Sequence, residues 1–160
     1  MSKVEEKLAE MGLVLPAPIQ LPPGMVLPFP WVRPHGNVVY ISGHGPLNPD
    51  GSLAQPLGKV GADLTVEQGY HAAKLVGLAI LASLKTAIGD LDRIDEWVQM
   101  FGMVNSAPGF NQQPSVINGF SELIVELYGE RGRHARSAVG MAELPMNIPV
   151  EIEGTVTLKA

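Results

Sequence analysis

The stretch PVEIEGTVTL, residues 149–158, alternates: Val150, Ile152, Val156 and Leu158 fall on one side, Glu151, Glu153, Thr155 and Thr157 on the other. A period of two predicts a strand with one apolar face. Its other face, polar and rich in small residues and carboxylates, must meet water or the like face of another subunit. The segment before it, ARSAVGMAEL (135–144), reads as a further strand, and so does NVVYISG (37–43), which is β-branched and aromatic and stops at glycine. A short strand is also expected near Leu53, after the turn signal Pro49-Asp50-Gly51. IDEWVQMFGMVNS (94–106) is read as a strand with imperfect alternation.

Helical spacing appears in three places. Ala72, Leu75, Val76, Ala79, Ile80, Ser83, Leu84 and Ala87 repeat at intervals of three and four behind a Thr65-x-x-Gln68 capping box. Val116, Phe120, Leu123, Ile124 and Leu127 form a second stripe, with Asn111 as its expected cap, Pro114 in the first turn and Gly129 or Gly132 at the end. Val4, Leu8 and Met11 make a short N-terminal helix stopped by Gly12. The proline-rich run that follows is extended and excluded from a sheet interior, with Phe29 and Trp31 as apolar anchors. The order strand, strand, helix, strand, helix, strand, strand predicts an α+β fold, with two helices on one face of a mixed sheet.

Composition narrows the chemistry. The chain has 160 residues, 46% hydrophobic, and no cysteine, which removes disulfides, thiolate catalysis and Cys-ligated metal. His35, His71 and His134 have no metal-binding spacing, so no metal or organic cofactor is expected. The net charge of −5 argues against a broad nucleic-acid footprint. The N-terminus lacks the layout of a signal peptide, and apolar runs such as LVGLAILA (75–82) are too short to span a membrane, so a cytoplasmic protein is expected. The basic run RGRHAR holds Arg131 and Arg133, read as solvated surface cations, and Arg136 at the start of an apolar strand.

VVYISGHGPLNPDG and HARSAVGMAELPMNIPVEIEGTV resemble the two signatures of the YjgF/YER057c/UK114 group, the Rid family of reactive-intermediate deaminases. The likeness spans roughly 24–158, which divides the chain into an N-terminal helix and proline-rich extension (1–23) and a YjgF/Rid-like domain (24–160). It implies a chorismate-mutase-like fold, a homotrimer whose sheets form a barrel, and ligand clefts between subunits. It also implies hydrolysis of small enamine/imine intermediates such as 2-aminoacrylate to 2-oxo acids and ammonia.

By that resemblance Arg136 clamps the substrate carboxylate, a task suited to a planar guanidinium fork, and Glu151 positions the attacking water. Ser42 and Gly43 match a carboxylate-binding Ser-Gly, and Asn118 matches a cleft asparagine. Three positions depart from the pattern. His44 replaces glutamine, Ala138 stands in the cleft wall where cysteine is common, and Phe29 or Trp31 takes the place of the cleft tyrosine. A non-catalytic trimeric sensor or carrier of small carboxylates is the alternative function. Endoribonuclease or translation-inhibitor activity, with which some relatives are labelled, ranks third.

Overall fold

Strand β3 (Ile94–Asn105) is the longest strand of the computed structural model, which describes residues 2–160. It pairs antiparallel with β5 (Val150–Leu158) on one side and parallel with β4 (Ala135–Met141) on the other. Beyond β5 lie β2 (Val38–His44) and β1 (Val32–His35), giving one five-stranded sheet in the order β1-β2-β5-β3-β4. The imperfect alternation in β3 has a physical source. Its pairing with β5 shifts register between Ile94 and Trp97 and again between Trp97 and Gln99. These irregularities bury Trp97 and leave Val98 and Gln99 outside.

Helices α2 (Val66–Ile88) and α3 (Gln113–Tyr128) pack together on one face of the sheet, as the helical stripes predict. Val76, Ile80 and Leu84 of α2 meet Phe120 and Ile124 of α3 in the same core as Met100, Ile152 and Val156 of the sheet. The helices touch closely because Gly119 lacks a side chain: a Cβ there would lie 1.9 Å from the Tyr70 carbonyl oxygen. Thr65 and Gln68 form the expected reciprocal capping box. Helix α1 (Lys3–Glu10) buries Val4 and Leu8 in that core, and the backbone N–H groups of Lys3 and Val4 donate to the Asp92 carboxylate.

Several expectations need correction. Leu53 makes only an isolated bridge with Leu47, in a segment too interrupted by proline and glycine for a ladder. The first pair of strands is instead β1 and β2, joined by a two-residue turn at Gly36-Asn37 with Gly36 at φ 63°. Asn111 is not a cap: α3 begins after Gln112, with no side-chain cap and with proline in the first turn. Ala87 is exposed. Helix α2 is longer than its apolar run suggested. It is 23 residues long, and an 18-residue window within it, of mean hydropathy 1.4, has the length and composition of a membrane span, yet its apolar side is the core helix of this fold. The second sheet face is polar along β5, but at one end Met103, Leu144 and Ile148 form a small separate apolar cluster.

Candidate functional site

Arg136 projects from β4, an edge strand, opposite Met100 of β3, so it lies on the helix-covered face. Asn118 and Ser121, one turn apart on α3, meet it there. One guanidinium nitrogen, Nη1, donates to Asn118 Oδ1 at 2.8 Å and to Ser121 Oγ at 3.1 Å. Among the described residues no carboxylate pairs with Arg136. Burial pulls its pKa below the usual arginine value, though a guanidinium stays protonated in any ordinary protein setting.

Behind this contact stands His134, which the sequence reading set aside. Its Nδ1 lies 2.8 Å from the Gly132 carbonyl, a pure acceptor, so Nδ1 carries the proton. Nε2 is then bare and accepts from the Ser121 hydroxyl at 2.9 Å. Ser121 thus gives its proton to His134 and its lone pair to Arg136. Burial, with a smaller push from the Arg136 charge, outweighs the opposing Gly132 hydrogen bond and holds His134 below the ordinary histidine pKa, in its neutral form. No spacing in the sequence singles out Ser121 or His134 as partners of Arg136.

Glu151 sits on the other face. It pairs with Met103 of β3, while Arg136 aligns with Met100. Three residues along β3 and two strand spacings separate the backbones, roughly 14 Å, with the side chains aimed oppositely. Arg136 and Glu151 of one chain therefore do not meet. Gly43 does meet Glu151: a Cβ at 43 would lie 2.9 Å from the Glu151 carboxyl carbon, so the glycine makes room for the acid. Burial, reinforced by Glu153, raises the Glu151 pKa above the usual carboxylate range.

The remaining predicted residues divide between the two faces. Ser42 donates its hydroxyl to the Pro30 carbonyl at 2.8 Å and its N–H to the Trp31 carbonyl at 3.0 Å, so both its donors are engaged within the chain. Phe29, with Ser42, Tyr40, Phe101 and Glu153, borders a broad recess of about 740 Å³. Trp31 touches Phe29 edge-on, with centroids 5.5 Å apart, but faces His44 at 5.2 Å and lines a different cavity beside α2. Ala138 shares the Arg136 face and packs against the core. His44, at the glutamine position, is 5% exposed, with Nδ1 2.6 Å from the Ser42 carbonyl and Nε2 2.9 Å from Ser83 Oγ.

Arg131 is not a free surface cation. Its Nη1 donates to the Ile94 carbonyl at 2.6 Å, and its guanidinium stands 5.7 Å from the Tyr128 ring centroid, tying the turn after α3 to the start of β3. Arg133 matches expectation, with a mostly exposed side chain 3.7 Å from Glu130.

Residues 6–152 match the family described as "YjgF/chorismate mutase-like, putative endoribonuclease". Protein TCP17 of Trypanosoma cruzi is 42% identical over 124 residues, which cover 77% of this chain and 76% of that one. The crystal structure of Atu1372 from Agrobacterium tumefaciens, a protein of unknown function, superposes with a TM-score of 0.86 at 40% identity, covering 98% of this chain and 93% of that one. A structure from Shewanella oneidensis, described as a "putative endoribonuclease", gives 0.85 at 32% identity, with 97% and 99% covered. The sheet order, the two helices on one face and these matches lead to one assignment: the chain belongs to the YjgF/chorismate-mutase-like family.

Proposed function

We propose that this protein hydrolyses small enamine/imine intermediates of 2-amino acids to 2-oxo acids and ammonia, in clefts shared between subunits of a homotrimer. The observation that carries this reading is Arg136, partly buried, anchored through a single nitrogen to Asn118 and Ser121, and given no acidic partner among the described residues. A cation held this way keeps its other N–H groups for a carboxylate from outside, bound by two parallel charge-assisted bonds.

Glu151 supplies the proton chemistry. The water oxygen bonds to the imine carbon while Glu151 takes its proton and passes it to the nitrogen. The resulting carbinolamine collapses as its hydroxyl proton moves to nitrogen through Glu151, the C–N bond breaks and ammonia leaves a carbonyl behind. A carboxyl whose pKa is raised by burial is suited to giving and taking that proton. Arg136 and Glu151 occupy opposite faces of one sheet, which supports a cleft built from Arg136 of one chain and Glu151 of its neighbour. Both sheet edges, β1 and β4, are open in the isolated chain, and open edges favour closure by other copies.

The test is ammonia release from 2-iminopropionate generated in situ, with light scattering on the same samples. Wild type should turn over as a trimer, and Arg136→Ala should remain trimeric and inactive. A wild-type trimer that binds 2-oxobutyrate without releasing ammonia would be a carboxylate-binding protein. A monomer at all concentrations would remove the shared cleft.

A further inference from the structure

On the helix side of the sheet a cavity of about 280 Å³ lies between β2, α2 and the N-terminal segment around residues 16–19. Pro16 and Ile19 line it from that segment, Trp31 from just before β1, Leu47 from just after β2, and Ala79 and Ala82 from α2. Among the described residues no charged side chain lines it.

The wall made by the N-terminal segment is fixed. Ala17 N–H donates to the Pro49 carbonyl at 2.9 Å and Gln20 N–H to the Gly51 carbonyl at 3.0 Å. Pro18 presses so close that a Cβ on Gly51 would lie 2.1 Å from its carbonyl oxygen, and Gly51 has φ 85° besides. Prolines at 16 and 18 restrict the segment further. The space is preformed, and an apolar cavity of about 150 Å³ already admits benzene. This one has room for a second ring.

Two hydroxyls lie on its wall: Thr86 Oγ1 donates to the Ala82 carbonyl at 3.1 Å within α2, and Ser83 pairs with His44. With His44 Nδ1 donating to the Ser42 carbonyl, Nε2 accepts the Ser83 proton, so Ser83 Oγ can offer the cavity only lone pairs. A ligand bringing an O–H or N–H finds an acceptor there. A carboxylate finds lone pairs and no cation, and loses its hydration without replacement.

We propose that this cavity binds a neutral apolar molecule of about two rings that carries one hydroxyl or N–H donor, packed against Trp31 and the alanine face of α2 and hydrogen-bonded to Ser83 Oγ. The site is independent of the Arg136 cluster, which selects anions, and the N-terminal segment exists in this fold as its outer wall.

The experiment titrates 2-naphthol and 2-naphthoate calorimetrically into the full chain. Saturable binding of one 2-naphthol per chain is expected, with 2-naphthoate at least about tenfold weaker, as a buried unpaired charge demands. Ser83→Ala should weaken 2-naphthol about fivefold, the usual worth of one neutral hydrogen bond. Ala82→Leu should abolish binding, and Ala87→Leu, at an exposed position on the same rim, repeats the block if Ala82→Leu unfolds. Arg136→Ala should bind 2-naphthol normally, which keeps this result separate from the deaminase reading. The proposal falls if wild type gives no saturable binding, if both leucine variants bind as wild type does, or if 2-naphthoate binds as tightly as 2-naphthol.

Discussion

His44 and His134 stand against different helices, α2 and α3, and are wired alike. Each donates from Nδ1 to the carbonyl two residues before it, Ser42 at 2.6 Å and Gly132 at 2.8 Å, and each accepts at Nε2 from a helix serine at 2.9 Å. Both are held neutral chiefly by burial. What differs is the neighbour of the serine. Ser121 passes its lone pair to Arg136, whereas Ser83 turns its own toward an apolar cavity. One local device serves a strand cation beside α3 and an uncharged space beside α2, so the histidine alone does not define either site.

The largest expected effect separates the two regions outright. Arg136→Ala should weaken 2-oxobutyrate by about 2–5 kcal/mol in a calorimetric titration, the range for a charged pair inside a cleft. Arg136→Lys should recover only part, because an ammonium lacks the two-pronged geometry. Arg133→Ala is the control and should bind normally; Arg131→Ala is unsuitable, since that side chain holds the end of β3. Unchanged binding in Arg136→Ala would dissolve the contrast between the two histidine sites.

A smaller effect tests the serines. Ser121→Ala removes one of two anchors of Arg136 and should weaken 2-oxobutyrate by about 1 kcal/mol, while Ser83→Ala leaves it unchanged. Equal losses would mean the two pairs act through general packing.

Acid should then expose what the pairs share. Burial holds both histidines below the ordinary histidine pKa in the folded chain, so the unfolded chain takes up protons first as pH falls. Their contribution to stability is complete above about pH 6.5 and is lost below it. The thermal midpoint of wild type should drop through that window, and a His44→Gln, His134→Gln double variant should show a shallower slope. The smallest effect has the opposite sign. Glu151 has a raised folded pKa, so ionising it costs stability at neutral pH. Glu151→Gln should stabilise by less than about 1 kcal/mol, given its partial contact with water, while ammonia release collapses.

The elements that bury one face were legible because periodicity reports burial: α2, α3 and β5 follow from spacing, whereas the alternation of β3 is broken by its register shifts. Strand β1 was not, since only Val32 of its four residues is buried and Pro34 sits among them, tolerable on an edge strand alone. The Gly36-Asn37 turn was the readable sign that a strand preceded it. In the candidate site, Arg136 and Asn118 were identified through resemblance and do touch. Ser121 and His134 were missed because a serine in a helix and a lone histidine carry no periodic signal. That Arg136 and Glu151 face opposite ways depends on strand order across β3, which a linear reading of either strand does not contain.

That opposition makes the two residues genetically separable. If each cleft draws Arg136 from one chain and Glu151 from the next, Arg136→Ala and Glu151→Gln chains are each dead alone yet complementary together. Co-refolded in equal amounts, they should assemble about one cleft in four with both functional side chains intact, and ammonia release should return to about that fraction of wild type. A cleft confined to one chain would stay silent in every mixture.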